Sequence, residues 1–310
     1  MQRLLTRWSR TNEWVKSFLF ALVLLLFMHA FVVRWVIVES TSMFATLKPG
    51  DLVLVQRWPV WTGVERGDVV VFRDPLKDVL PKARRPLLVK RIVGMPGDLV
   101  ELKGEILLVN GSVLDRPALA TKAYLVHLRS ADDAVTLIGQ LGLPPSLARA
   151  GRSFLEVPLN DQLVEQVRRY PYVKGVQPMA LANGAPRHIF PYSPRYPWNG
   201  DHYGPIRVPR KGDTLQINVD NLPVYDRLIS VYEGHQLGVD RNVLQIDGAP
   251  LTDYVVEQDY LFVLGDSRHY SADSRYWGFL PADHVTGRAA LLLWGNGVNG
   301  ARSGRDWSVL

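Results

Sequence analysis

The chain has no cysteine among its 310 residues, and it has no block of lysine and arginine interleaved with aromatic residues. Without cysteine there is neither a disulfide nor a thiolate nucleophile, which fits an oxidising compartment without requiring one. The net charge of +6 comes from scattered basic residues, so the sequence argues against a nucleic-acid partner. No spacing of metal-ligand residues occurs either, and we expect no metal and no cofactor.

One long apolar run lies near the N-terminus. Residues 18–38 are interrupted only by His29 and Arg34, and at about 1.5 Å per residue a helix of this length spans a ~30 Å hydrocarbon core. We predict a transmembrane helix at residues 17–38 after a cytoplasmic N-terminus at residues 1–16, because the basic residues precede the run. A cleaved signal peptide, whose apolar region is usually about 7–15 residues, and a buried core helix are the alternatives.

The pattern becomes strand-like after residue 48. Turns of the Gly-Asp type open four apolar runs, at Gly50-Asp51, Gly67-Asp68, Gly97-Asp98 and Gly212-Asp213. Two hairpin signals accompany them, at Asn110-Gly111 and Asp247-Gly248. The sequence therefore predicts a mainly β protein in which residues 39–115 and 205–294 are two parts of one antiparallel domain.

Residues 116–204 have a different pattern. Strand-like and helical stretches alternate there, in the order 122–129 (strand), 131–141 (helix), 153–157 (strand), 161–170 (helix) and 175–182 (extended). We predict a small α/β insertion between the two β parts, and we treat residues 295–310 as a C-terminal tail. The sequence indicates no oligomeric state.

A serine and a lysine stand out chemically. Ser42 follows the apolar run within Ser-Thr-Ser-Met-Phe-Ala-Thr-Leu, and taken alone it would be a turn-capping serine. Lys90 lies in the apolar run at residues 88–93, where alternation puts Lys90 and Arg91 on opposite faces. Of these two cations, only the lysine can lose its proton when it is buried. A neutral amine can then take the proton of a serine hydroxyl. Such a pair would form a Ser-Lys dyad. Taken alone, Lys90 could equally be a strand lysine whose amine reaches out to solvent.

A third segment is dense in charge and hydroxyl groups. Residues 265–279 read Gly-Asp-Ser-Arg-His-Tyr-Ser-Ala-Asp-Ser-Arg-Tyr-Trp-Gly-Phe and follow an apolar strand-like run. Such a mixture suits a partly buried loop whose charges pair with one another.

Together and in this order, the three segments resemble the signature segments of bacterial type I signal peptidases. The matching patterns are S-x-S-M-x-x-T-L, L-V-K-R-x-V-G-x-P-G-D and G-D-x-R-x-x-S-x-D-S-R-Y-W-G, which cover about a tenth of the chain. This sequence departs from the family pattern at Ala45, Ser267, His269 and Tyr270.

The resemblance implies roles for individual residues. Ser42 would be the nucleophile and Lys90 the general base, while the Ser40 hydroxyl and the Ser42 backbone N–H would form an oxyanion hole. Ser271 would orient the lysine amine. The resemblance also implies a supporting ion pair and a set of apolar side chains that line the pockets for small substrate residues. These are Asp273 with Arg275, and Val36, Val38, Leu47 and Val89.

The function implied by the resemblance is an endopeptidase that removes signal peptides from exported preproteins through an acyl-enzyme. It would cross the inner membrane once and hold its catalytic domain on the outer, periplasmic side, with preproteins and the lipid bilayer as partners. Three alternatives remain: a specialised relative that matures one substrate, an inactive anchored scaffold, and a soluble Ser-Lys autoprotease of the repressor type.

Overall fold

The computed structural model of the protein describes residues 12–185, 188–241, 243–296 and 304–310, with the backbone alone at Ala30. Parts of the predicted cytoplasmic segment and of the predicted C-terminal tail thus lie outside the described residues. The division of the chain at residues 38, 115, 204 and 294 stays a prediction.

The N-terminal helix ends earlier than predicted. Helix α1 (Glu13–Phe27) begins after Asn12, whose side chain accepts the backbone N–H of Trp14 at 3.0 Å, and a π-helical turn continues it over Met28–Val32. No helix in the described part of the chain combines the length and the apolar character that crossing a membrane requires. The prediction of one helix over residues 17–38 is therefore not confirmed.

The last residues of the predicted helix form a strand instead. Strand β1 (Val33–Ile37) pairs antiparallel with β2 (Leu52–Gln56) over five residue pairs. The segment Val-Arg-Trp-Val-Ile is rich in β-branched and aromatic side chains, which favour strands when a partner strand is present. The apolar character of a stretch does not by itself distinguish such a strand from the end of an apolar helix, and this is why the prediction was wrong here.

The remaining elements follow in chain order. The further strands are β3 (Val69–Arg73), β4 (Leu87–Gly94), β5 (Leu99–Lys103), β6 (Ile106–Val109), β7 (Ser112–Val113), β8 (Lys122–Leu128), β9 (Arg149–Ala150), β10 (Phe154–Leu159), β11 (Val173–Pro178), β12 (Tyr203–Arg207), β13 (Thr214–Gln216), β14 (Leu237–Asp240), β15 (Val243–Ile246), β16 (Ala249–Pro250), β17 (Asp253–Val255), β18 (Tyr260–Leu264), β19 (Leu280–Pro281), β20 (Val285–Trp294) and β21 (Ser308–Val309). The further α-helices are α2 (Pro59–Thr62), α3 (Asp132–Leu141), α4 (Asp161–Arg168), α5 (Leu222–Arg227) and α6 (Ser274–Trp277). A second π-helical turn covers Leu228–Tyr232, and short 3-10 turns cover Lys82–Arg84, Pro145–Leu147, Arg268–Tyr270 and Ala282–His284.

The largest sheet carries the predicted site. Its strands run in the order β1-β2-β20-β3-β4-β18-β19, with β21 added on β20, and every pairing is antiparallel. Side chains of β2, β3 and β20 pack into a buried core with Met43 and Leu47, which belong to the segment around Ser42. The prediction of a mainly antiparallel β fold is confirmed.

Smaller sheets pack beside it, in the orders β12-β5-β6-β7, β14-β15-β16 and β13-β17. The four Gly-Asp turns form as predicted, because each of their glycines adopts a positive φ between 84° and 96°. The two hairpins form as well. Asn110-Gly111 links β6 to β7 and Asp247-Gly248 links β15 to β16, with positive φ at all four residues, as a type I′ turn requires.

The predicted insertion has the succession of elements that its pattern indicates. Strands β11-β8-β10-β9 form an antiparallel sheet, and buried side chains of α3 and α4 share one core with it. Helix α3 ends at Gly142 in the left-handed conformation, and α4 begins after Asn160, whose side chain accepts the Leu163 N–H at 2.9 Å. Phe44, two residues after Ser42, is part of this core.

Candidate active site

Ser42 and Lys90 meet inside the largest sheet. Ser42 lies in the turn that follows β1, and Lys90 lies on β4. The Lys90 Nζ donates a hydrogen bond of 2.6 Å to the Ser42 Oγ across 48 residues of sequence. Both side chains are buried, with 2% of Lys90 and 7% of Ser42 exposed. The two residues predicted to form a dyad are therefore in direct contact.

Strand alternation explains which of two neighbouring cations is buried. Arg91 points to the other face of β4, where it binds the Asp266 carboxylate through two hydrogen bonds of 3.0 and 2.7 Å. The Thr46 hydroxyl donates to the same carboxylate at 2.6 Å. Asp266 thus joins β4, the segment after Ser42 and the third segment, and it acts as scaffold.

The environment of Lys90 increases the fraction of its amine that is neutral. Burial lowers the pKa of Lys90 to about 8, although the negative charge of Asp273 and of two further aspartates opposes the shift. The only other hydrogen bond of its amine among the described residues goes to the Val89 carbonyl at 3.1 Å. At pH 7 about a tenth of such amines are neutral, and a neutral amine at this distance can accept the proton of the Ser42 hydroxyl.

Ser40 lies beside the proposed nucleophile. Its hydroxyl is 3.1 Å from the Ser42 Oγ, and its residue is exposed to solvent. The Ser42 carbonyl accepts the N–H of Ser267 at 3.0 Å, which fixes the backbone next to the hydroxyl. The oxyanion hole itself stays a prediction, because it concerns a charge that develops only during the reaction.

Ser271 is close to the site but does not bind Lys90. Its hydroxyl is buried and makes no hydrogen bond of good geometry among the described residues, but it interacts with the Asp273 carboxylate and helps to lower the pKa of that group. Gly265 separates it from Ser42: a Cβ on Gly265 would lie 2.2 Å from the Ser271 Oγ and 2.5 Å from the Ser42 carbonyl oxygen. Only glycine permits this close approach. The role of Ser271 in orienting the lysine stays a prediction.

Asp273 and Arg275 form a buried ion pair. Two hydrogen bonds of 2.9 Å join the guanidinium to the carboxylate, and the Gly265 N–H adds a third contact to Asp273 at 3.0 Å. Burial alone would raise the pKa of Asp273, but the charge and hydrogen bonds of Arg275 hold it below its usual range. The same pairing raises the pKa of Arg275 against the effect of burial. The guanidinium also donates to the Gly200 carbonyl at 2.8 Å.

A groove of about 550 Å³ lies along the sheet and ends at Ser40 and Val89, the neighbours of the Ser42–Lys90 pair. Residues 34–40 line one side of it and residues 85–89 the other, so Val36, Val38 and Val89 line this groove. That they form the pockets for small substrate residues stays a prediction. Leu47 does not line it, because its side chain is fully buried in the core behind these valines. The prediction that Leu47 contacts substrate directly therefore has no support from its position.

Both walls of this groove are unpaired strand edges. Among the described residues β1 pairs only with β2, and β18 pairs with β4 only from Arg91 to Gly94. The edge of β4 before Arg91 consequently has no strand partner on this side, although the Val89 carbonyl already accepts a hydrogen bond from the Lys90 amine. An extended peptide placed there can add a strand to the sheet.

Sequence reasoning missed Thr121, which ties the insertion to the site. The fully buried Thr121 hydroxyl lies 3.0 Å from the Phe44 carbonyl and 3.1 Å from the Ser267 hydroxyl. Its backbone N–H donates to the Asp266 carbonyl at 2.8 Å. Nothing in the local sequence marks this threonine, because its partners are distant in the chain.

His269 belongs to a polar cluster with Glu105 and Asp201 that resembles a metal site in its residue types. The hydrogen bonds argue otherwise. The His269 Nδ1 accepts the Ala123 N–H at 3.0 Å, so the proton of a neutral imidazole is on Nε2, which is 2.9 Å from the Asp201 carboxylate. A protonated nitrogen cannot bind a metal, and the cluster instead links the third segment to the insertion.

A buried serine in contact with a buried lysine on an antiparallel β frame is the arrangement that a serine hydrolase of the Ser-Lys type requires. The family model described as "Signal peptidase, peptidase S26" matches residues 11–145 and 204–294. The chain therefore belongs to this family. The match omits residues 146–203, which form most of the insertion.

Individual relatives agree with the family assignment. The chain is 37% identical over 133 residues to signal peptidase I of Bacillus licheniformis, which covers 42% of this chain and 64% of that protein. It is 39% identical over 108 residues to signal peptidase IB of Staphylococcus aureus, which covers 34% of this chain and 52% of that protein. The alignments thus span about half to two thirds of these relatives. A crystal structure of a signal peptidase I from Enterococcus faecalis matches 73% of this chain and 96% of its own, at 15% identity and a TM-score of 0.26.

Proposed function

We propose that the protein is a membrane-bound serine endopeptidase that removes N-terminal signal peptides from exported preproteins. The observation that carries this proposal is the 2.6 Å contact between the Ser42 hydroxyl and a buried Lys90 whose pKa is lowered to about 8. The relatives are named signal peptidases, and their substrates are attributed to this chain as part of the proposal.

The reaction follows from the geometry of the dyad. The Ser42 Oγ attacks the carbonyl carbon of the scissile peptide while the Lys90 Nζ takes the hydroxyl proton. The Ser40 hydroxyl and the Ser42 N–H donate to the oxyanion of the tetrahedral intermediate, and one such donor is worth about 3 kcal/mol. Lys90 then returns the proton to the leaving amine, which gives an acyl-enzyme and the mature N-terminus. Water, deprotonated by Lys90, hydrolyses the ester and releases the signal peptide.

The substrate would bind as an added strand. The open edges of β1 and β4 recognise backbone rather than sequence, which suits an enzyme that processes many different precursors. Specificity would come from the small apolar surface of Val36, Val38 and Val89, which accepts alanine and excludes large side chains by overpacking.

The N-terminal helical segment would hold the enzyme at the bilayer. Helix α1 has 15 residues and the π-helical turn has 5, and their combined length of about 30 Å matches a hydrocarbon core. Nearly all of its large apolar side chains are exposed, among them Phe18 and Phe20 at 67% and 71%. In this arrangement the catalytic domain lies on the extracytoplasmic side of the inner membrane, where exported preproteins emerge.

The test is cleavage of a preprotein with an Ala-x-Ala junction by the detergent-solubilised full chain. The wild type should cut once at the junction, and Ser42→Ala and Lys90→Ala should each lose the activity. Ser153→Ala and Lys103→Ala are matched controls, because both residues are exposed, and they should cleave normally. Folded wild-type protein that binds the preprotein without cutting it would identify an inactive scaffold instead.

A further inference from the structure

Three arginines line the end of the groove that is remote from Ser42. Arg34 lies on β1, Arg73 at the end of β3 and Arg85 just before β4. No ion pair among the described residues includes any of them. The Arg73 guanidinium donates to the Arg85 carbonyl at 2.7 Å, and the Arg85 Nε donates to the Leu80 carbonyl at 3.0 Å. These bonds position the side chains without neutralising their charge.

The electrostatics of the groove are therefore asymmetric. Burial and the neighbouring charge of Arg34 lower the pKa of Arg73, so the two guanidinium groups are close enough to repel each other. Glu39 is the acid among the residues that line the groove, and it lies at the other end, next to Ser40. A peptide in the groove thus meets a positive field at its N-terminal part.

We propose that this basic end is a specificity site for the charge of the substrate about five to six residues before the cleaved bond. A strand that pairs residue by residue with 85–89, and has its scissile end beside Val89, reaches Arg85 four residues earlier. Acidic side chains at these positions are favoured there, and basic ones are repelled. The inference rests on the proposed function, because it requires a substrate in the groove.

For the selection of substrates, the repulsion of basic side chains by these arginines matters more than the attraction of acidic ones. Positive charge in a precursor lies before its apolar segment, so a basic groove end disfavours binding in a register that would bring that charge to the site. Specificity is a difference between two affinities, and a repelled competitor improves it as much as an attracted substrate. Arg34 is exposed and Arg73 is partly buried, so their effect weakens with salt, with a screening length of about 10 Å at 0.1 M.

The experiment uses three forms of one preprotein in nonionic detergent at low salt. Positions −5 and −6 carry Ala-Ala, Glu-Glu or Lys-Lys, and kcat/KM is measured for the full-length wild type, Arg34→Gln, Arg34→Glu and Arg73→Gln. The wild type should prefer Glu-Glu to Lys-Lys by roughly tenfold, as about threefold per exposed charge pair implies. Arg34→Gln and Arg73→Gln should reduce the ratio, and Arg34→Glu should bring it to one or below. Arg152→Glu, an exposed arginine of the insertion, should leave it unchanged.

The Ala-Ala form separates this inference from the function on which it rests. The rate of each variant on this form is the reference for its two charged forms, and Arg152→Glu should cut it at the wild-type rate. Failure of the wild type to cut it would contradict the proposed peptidase function itself. Equal rates of the wild type on Glu-Glu and Lys-Lys, or a ratio that Arg34→Glu leaves intact, would overturn the specificity site alone. A charge effect that arises only when anionic phospholipid vesicles are added would assign the arginines to lipid headgroups and overturn it as well.

Discussion

The site contains two buried cations that the structure treats in opposite ways. Arg275 is fully buried beside Asp273, and its pKa is raised because two hydrogen bonds and an opposite charge hold its proton. Lys90 is equally buried but binds only a hydroxyl and a carbonyl, and its pKa falls to about 8. Both cations are buried, but only Arg275 is paired with a carboxylate. This pairing therefore decides whether a buried cation keeps its charge as part of the scaffold or can act as a proton acceptor.

The two residue types suit the two positions. A guanidinium keeps its charge at any physiological pH and matches a carboxylate in a two-point pair. An ammonium can lose its proton once water is excluded, which a general base requires. The predictions below test this contrast.

The largest effect should follow from Lys90→Arg. An arginine in the lysine position stays charged and cannot take the Ser42 proton, so kcat/KM for a preprotein should fall by about a thousandfold or more. Initial rates under substrate-limiting conditions measure this. An Arg variant that retains a tenth of the wild-type rate would show that positive charge, rather than proton transfer, is what the position supplies.

Next in size is the effect of Asp273→Asn on folding. The change leaves Arg275 buried without an opposite charge, and the free energy of unfolding should fall by about 3–5 kcal/mol. Urea denaturation measures the loss. Glu165→Gln is the control, because its ion pair with Arg168 is exposed and should contribute less than about 1 kcal/mol. A similar small loss for Asp273→Asn would mean that the buried pair does not support the site.

Lys90→Met should stabilise the fold while it abolishes cleavage. The lysine pKa is about 8 in the folded protein against 10.5 for an ordinary lysine, so the unfolded chain binds the proton more tightly. The resulting destabilisation is complete below pH 8 and disappears as the pH rises to 10.5. We expect the variant to gain about 1–3 kcal/mol at pH 7, less than the full shift because Ser42 loses its partner. No gain at pH 7, or a gain that grows above pH 8, would contradict the assigned pKa.

The smallest effect is the pH dependence of the wild type. Only the neutral amine is a base, so kcat/KM should rise about tenfold per pH unit below pH 8 and level off above it. A stopped assay between pH 6 and pH 10 with a fixed preprotein measures the profile. His269→Gln should leave the midpoint in place, because this imidazole binds Asp201 and Ala123 rather than the dyad. A midpoint that moves with this variant would assign the titration to the histidine.

The local sequence predicted the structure correctly where a few neighbouring residues determine the backbone conformation. The Gly-Asp turns and the two hairpins form where the glycines predicted them, and Lys90 and Arg91 take opposite faces of β4. It failed at Val33–Ile37, which pairs with β2 rather than extending the helix. It also missed Thr121. The family resemblance placed Leu47 at the groove, although the side chain is fully buried.

By itself the sequence determined the antiparallel β character, the turns and the residues able to form a dyad, because backbone sterics and side-chain periodicity act within a few residues. Only the tertiary structure decided that Ser42 meets Lys90, that Asp266 binds Arg91 and that Asp273 binds Arg275. Those contacts depend on how distant strands pair and which faces they bury. The pKa of Lys90 depends on them too, since burial between these strands lowers it while the carboxylates that the fold brings near the amine oppose the shift.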